Sequence, residues 1–106
     1  MFIKFDDLDM LDFFENEPVS IGEEGEAEYI YSIKDSNQFS MTLTVDTYAK
    51  KIDISIIYGN NIIFSGEFDN VHEIRKSEDV LLVEMEIPKR LVLKKYSCLG
   101  VIIENV

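Results

Sequence analysis

Tryptophan is absent from this 106-residue chain, and cysteine, histidine, proline and glycine are scarce: one Cys, one His, two Pro and five Gly. Cys98 has no partner within the chain, so a disulfide scaffold is excluded and a reducing cytoplasm is the expected setting. His72 on its own rules out a histidine-based metal site and a two-histidine acid–base pair. The glycines, at 22, 25, 59, 66 and 100, nowhere form the Gly-rich loop that cradles a phosphate at the start of a helix. Long apolar runs are missing too; Val80-Leu81-Leu82-Val83 falls far short of the ~20 residues of a membrane helix. No basic region precedes an apolar stretch near Met1, so no secretory signal is expected. Cations are few: 10 Lys and Arg face 21 Asp and Glu, a formal charge of −11. Unaided binding to nucleic acid or to an anionic membrane is thereby excluded as the main activity, because both need Lys and Arg to neutralise phosphate.

What is present is a globular composition, 46% hydrophobic and 29% charged. The length suits one domain, residues 1–106, able to hide about two-thirds of the surface of its unfolded chain. The charge is unevenly placed. Residues 1–28 hold Asp6, Asp7, Asp9, Asp12, Glu15, Glu17, Glu23, Glu24, Glu26 and Glu28 against Lys4 alone, so nearly the whole imbalance belongs to the first quarter. Like charges at that density repel and cost stability. Such a segment is either a solvated face or a surface that captures a cationic partner. Asp9, Asp12, Glu15, Glu17, Glu23 and Glu24 are the candidate contacts for that partner.

The same segment carries the one helical pattern. Leu8, Leu11 and Phe14 recur at three-residue steps, Met10 and Phe13 widen the stripe, and Asp9, Asp12 and Asn16 fall opposite. Asp6 or Asp7 supplies the N-cap, and Pro18 predicts an end by residue 16 or 17. A helix so short needs to dock on something larger. Ile21–Glu26 reads as a loop, which gives an acidic helix and loop over about 6–25 and a sheet over about 26–106.

From residue 26 the period becomes two. Tyr29, Tyr31 and Ile33, then Phe39, Met41, Leu43 and Val45, then Ile52, Ile54 and Ile56 alternate with polar partners, as half-buried antiparallel strands do. Matching the inward sets predicts Ile33 opposite Phe39 across Asp35-Ser36-Asn37, a four-residue loop at 47–50, and Tyr58 opposite Ile62 with Ile56 opposite Phe64. Residues 26–68 thus read as a four-stranded meander. Further strands are expected at 62–68, 71–76, 80–87, 91–96 and 101–104, and Met1–Phe5 as an edge strand. The expected fold is α+β: an antiparallel meander sheet of about six to eight strands, flat or strongly curled, with one short N-terminal helix packed on it. Ile57, Ile63, Val80, Leu82, Val92 and Ile102 fall on the face opposite the main apolar set. One short helix cannot cover two faces, so the sheet curls or the second face meets another chain.

Catalysis has little to draw on. His72 lies near the end of a strand beside Glu73, and Cys98 sits among apolar neighbours as a small hydrophobe. Glu84 and Glu86 share a strand face, as Glu26 and Glu28 do, but at polar half-positions suited to solvent. The acids at 6, 7, 9 and 12 lack the central Gly and closing Glu of a calcium loop. No cofactor and no metal is expected, and no enzymatic activity.

In size, acidity, single sheet and want of catalytic residues, the whole chain is similar to the small acidic immunity proteins of bacterial contact or polymorphic toxin systems, and to phage proteins that imitate DNA. The resemblance implies a cytoplasmic, non-enzymatic inhibitor whose carboxylates meet a basic toxin or nuclease, with electrostatic steering of the encounter. The alternative is a structural or assembly module that forms a homodimer or complex through the apolar second face of its C-terminal strands.

Overall fold

The computed structural model describes residues 3–21, 28–86, 89–95 and 99–105. Among them the chain forms β1 (Lys4–Phe5), α1 (Asp7–Phe14), β2 (Val19–Ile21), β3 (Glu28–Lys34), β4 (Phe39–Asp46), β5 (Lys51–Tyr58), β6 (Asn61–Phe68), β7 (Val71–Ser77), β8 (Val80–Met85), β9 (Lys89–Lys94) and β10 (Gly100–Asn105). The class is α+β, but there are ten strands rather than six to eight, and they lie in two open sheets rather than one. A meander sheet runs β2-β3-β4-β5-β6, antiparallel throughout. A mixed sheet runs β1-β7-β8-β9-β10, with β1 parallel to β7 and the rest antiparallel.

Two sheets answer the problem of covering that one short helix could not. Tyr31, Met41, Leu43, Val45, Ile52 and Ile54 of the meander join Val71, Ile74, Leu81, Val83, Leu91 and Leu93 of the mixed sheet in one buried cluster. Each sheet is the other's cover, and period-two alternation is what lets each do so with one face.

The corner between them is at Asp69-Asn70. Asn70 adopts a left-handed backbone, φ 57°, a conformation that Asn tolerates through local side-chain bonding. Its carbonyl accepts from the Glu86 amide at 2.9 Å, while the Val71 amide donates to the Lys50 carbonyl at 2.9 Å. One residue is thus tied to the mixed sheet and the next to the meander's 47–50 turn. A two-residue link that looks like a hairpin instead carries the chain from one layer to the other.

The meander is read well by alternation, with local adjustments. Val45 faces Ile52 across the four-residue turn 47–50, as expected, and Ile56 faces Phe64. The first hairpin is displaced by two residues: Ile33 faces Met41 rather than Phe39, and the turn is Ser36-Asn37-Gln38 with Gln38 left-handed at φ 70°. Asp35 sets this register, because its Oδ1 accepts from the Asn37 and Phe39 amides at 2.8 and 3.0 Å. At the last hairpin a bulge between Ile56 and Ile57 shortens the turn to Gly59-Asn60, so Tyr58 meets Asn61 rather than Ile62. The left-handed residue there is Gly59, φ 60°.

The helix starts as expected: Asp6 is the N-cap, its Oδ1 accepting from the Leu8 amide at 2.7 Å. Its buried face differs. Met10, Phe13 and Phe14 are fully covered, whereas Leu8 is 74% and Leu11 40% exposed. Positions i, i+3 and i+4 follow the true 3.6-residue period better than three-residue steps do. The rotation brings Phe14 onto Tyr31 in a stacked contact of 5.2 Å and Phe13 edge-on to Phe14. α1 rests against β7 and β3, so it bridges the two sheets. It ends two residues early because Glu15 turns left-handed (φ 60°) and returns its amide to the Leu11 carbonyl at 2.7 Å. Ile21, read from sequence as the start of a loop, instead closes the strand β2, which runs antiparallel to β3 with Ser20 opposite Tyr29; the rest of that loop lies outside the described residues.

Candidate partner-binding surface

The acidic helix is not a bare negative template. Asp12 Oδ2 meets Lys76 Nζ at 2.8 Å, and Asp9 Oδ2 accepts from the Lys76 amide at 3.4 Å. The Lys76 ammonium holds the Asp12 carboxyl below the ordinary aspartate value of 3.8, first through that hydrogen bond and then through its charge. Lys95 Nζ caps the helix, taking the Asp12 and Phe13 carbonyls at 3.2 and 2.8 Å and Glu15 Oε2 at 3.3 Å, and lies 5.3 Å from the centroid of the Phe13 ring. A cation at the negative end of the helix dipole is favourable. Asp9, Asp12 and Glu15 therefore line one helix flank but are answered by lysines of the later strands. Glu17 is exposed beyond the cap, and Glu23 and Glu24, like Cys98, lie outside the described residues.

The outer faces of the two sheets differ in charge. On the mixed sheet, Glu73, Glu84, Arg90 and Glu104 stand in one row across β7 to β10. Glu84 Oε1 accepts from Arg90 Nε at 2.8 Å and Arg75 Nη2 at 3.3 Å, and Arg90 Nη1 reaches Glu104 at 3.8 Å. The neighbouring row is Arg75, Leu82, Val92 and Ile102, an apolar stripe beside a row in which Glu73 directly opposes Glu84 and Arg90 stands between Glu84 and Glu104.

On the meander, Glu28, Asp46 and Lys51 form one row, and Ile30, Thr44, Asp53 and Glu67 the next. Asp53 and Glu67 are directly opposed like charges, an arrangement that destabilises a strand pair. Lys51 Nζ serves both Glu67 and Asp69, each at 3.9 Å, with all three side chains largely in solvent. These carboxylates and Lys51 line a depression of about 140 Å³. A second hollow, at the end of α1, is lined by Glu15, Lys34, Asp35 and Lys95 and is balanced in sign. Asp35 Oδ2 is buried beside it without a hydrogen-bond partner.

The density of acid along the sequence singles out the first quarter and not the meander acids, which are spread over several strands. The signal was available: placing Ile56 opposite Phe64 already puts Asp53 opposite Glu67. Among the described residues no three Asp, Glu, His or Cys side chains are grouped to hold a metal ion. His72 is exposed, its Nδ1 3.5 Å from Lys50 Nζ. No helix among the described residues is long and apolar enough to cross a membrane.

No family model matches the chain, and no curated protein matches it. Among solved structures one likeness runs from end to end. It is to a chain of a contact-dependent growth inhibition toxin–immunity protein complex from Klebsiella pneumoniae 342, with a TM-score of 0.84, 100% of each chain covered and 22% sequence identity. At that identity the shared property is the fold: two sheets and a short helix in the same arrangement.

Proposed function

We propose that this protein is a non-enzymatic, immunity-type inhibitor that binds and neutralises a bacterial toxin, acting in the cytoplasm. The carrying observation is the end-to-end likeness to a chain of a toxin–immunity complex. Charge chooses between the two roles in such a complex. A formal charge of −11 suits a protein that caps a cationic, nucleic-acid-handling surface and opposes direct contact with phosphate. An inhibitor works by occupying its target, so one histidine and one cysteine are no handicap. The toxin is proposed to be basic, and no cofactor or metal takes part.

Asp9, Asp12, Glu15 and Glu17, with Glu23 and Glu24 of the following segment, are proposed contacts on the helix side. A partner cation there competes with Lys76 for Asp12 and with Lys95 for Glu15. Their contribution is accordingly to the speed and orientation of encounter more than to affinity. The test is co-production with the toxin encoded beside this protein's gene: growth is restored, and binding weakens steeply as salt rises. Toxicity undiminished by the inhibitor, or binding indifferent to salt, overturns the reading.

Ile102, 45% exposed at the end of the Leu82-Val92-Ile102 stripe in which Leu82 itself is buried, favours a second reading, a homodimer or assembly module built on the mixed sheet. Sedimentation of the isolated protein separates the two readings, because a salt-insensitive dimer that dissociates on dilution is expected only from the second.

A further inference from the structure

Four strands end the two sheets among the described residues: β1 with two residues, β2 with three, β10 with six and β6 with eight. Short edges, and edges bearing Lys or Pro, discourage another chain from pairing. β6, Asn-Ile-Ile-Phe-Ser-Gly-Glu-Phe, is the longest of the four and has neither. Among the described residues it pairs with β5 alone. Ile62 is 67% and Ile63 55% exposed. Successive strand residues point to opposite faces, so these two isoleucines flank the rim of the sheet, one on each side. A partner lying flat on either face covers one and leaves the other in water. A chain coming alongside β6, in the plane of the sheet, reaches both.

We infer that β6 is where an extended segment of the cationic toxin adds as a further strand to the meander sheet, an assignment that rests on the reading of this protein as a toxin inhibitor. The open row of β6 amides and carbonyls provides main-chain hydrogen bonds, and the alternating side chains of the incoming strand provide specificity. Charge selects the occupant. Glu67 and Asp69 follow the isoleucines, Asp53 stands opposite Glu67, and Lys51 shares its single charge between Glu67 and Asp69 at 3.9 Å. A second copy of this chain brings its own Glu67 and Asp69 to the rim and a formal charge of −11 to the encounter; a strand with Lys or Arg relieves the repulsion instead. The incoming strand is therefore apolar where it passes Ile62 and Ile63 and basic where it passes Glu67 and Asp69.

The test uses the full chain and the purified toxin encoded by the adjacent gene, with affinity by biolayer interferometry and hydrogen exchange read by mass spectrometry. Toxin binding is expected to slow exchange of the 61–68 amides. Ile62→Ser with Ile63→Ser is expected to weaken binding about 100-fold, and Glu67→Lys to lower the association rate about tenfold at low salt, both with Tm close to that of the parent. Variants that keep their Tm and bind with parental affinity overturn the edge assignment, as does protection confined to other strands; toxin binding itself then still stands. A parent chain that does not bind the toxin overturns the underlying reading. A dimer of the isolated protein that is lost in the isoleucine variant assigns the edge to a second copy instead. Should the double serine variant unfold, the exchange pattern of the parent chain decides alone.

Discussion

The outer face of the mixed sheet answers Glu84 and Glu104 with its own arginines, although Glu73 directly opposes Glu84, whereas the outer face of the meander leaves its acids in excess. On the first, Glu84 is held between Arg75 and Arg90, and Arg90 reaches on to Glu104. On the second, Glu28, Asp46, Asp53, Glu67 and Asp69 face Lys51, whose two ion pairs are both long and both wet. Surface pairs of the second kind add little stability. Opposed carboxylates such as Asp53 and Glu67 subtract from it. A protein that retains them in a sheet it must fold carries a local cost, and residues retained against stability mark where function is sought. One outer face draws its charges inward to its own arginines; the other, on the proposed function, offers them to a partner.

Several changes sharpen or break that contrast. The largest effect is expected at the helix that joins the two layers. Phe14→Ala should destabilise by about 3–5 kcal/mol in urea unfolding, because Phe14 is fully buried and stacked on Tyr31. A loss below about 0.5 kcal/mol, the usual surface range, would show that the helix does not bind the sheets together.

Next come matched changes on the two faces. Glu84→Ala, which takes from Arg75 its carboxylate and from Arg90 the nearer of its two, should cost about 1 kcal/mol. Glu67→Ala should cost nothing or stabilise by a few tenths, about 0.2–0.5 kcal/mol, by removing the charge opposite Asp53. Equal losses at the two positions would erase the distinction between the faces.

The meander side of the core also predicts an alkaline limb. Burial pushes the Tyr31 hydroxyl up from 10.0 to about 12, with smaller contributions from the charges of Asp7 and Tyr29. The folded state holds this proton more tightly than the unfolded one. The associated stability is fully present below pH 10 and is lost as pH rises from 10 to about 12. Ultraviolet titration should show a tyrosine step near pH 12 that is lost in Tyr31→Phe. A Tyr31 step at 10.0 instead would place its hydroxyl in solvent.

The smallest effect is at the join of helix and mixed sheet. The Asp12 carboxyl should titrate below 3.8 by carbon-detected NMR and return toward it in Lys76→Ala, since its lowering comes first from the Lys76 hydrogen bond and then from the Lys76 charge. A depressed carboxylate contributes stability above its unfolded value, lost as pH falls through its folded value. An Asp12 midpoint unmoved by Lys76→Ala would detach the pair.

How much of this could be read beforehand follows from where each interaction lies along the chain. β3 to β6 are sequential and alternate cleanly, so the pairings Val45–Ile52 and Ile56–Phe64 came from parity alone. The first hairpin slipped by two residues because parity cannot distinguish one even shift from another, and Asp35 made the choice. The division into two sheets was hidden, since Asp69-Asn70 is as short as a hairpin turn and is redirected by backbone bonds to residues far away, the Val71 amide donating to the Lys50 carbonyl and the Glu86 amide to the Asn70 carbonyl. The acids of the helix were visible, but their partners Lys76 and Lys95 arrive from β7 and from beyond β9. Local pattern reports which side chains share a face; it is silent on what the rest of the chain brings to meet them.

The parallel pairing of β1 with β7 has a consequence for biosynthesis. Lys4 waits for Glu73, Phe5 for Ile74, and the carbonyls that end α1 wait for Lys95. On the ribosome residues 4–14 emerge before β7 and Lys95 and must stay solvated until those have followed, a wait that their own mutual repulsion makes safer by keeping nascent chains apart. Made ahead of its partners, this stretch locks only after them.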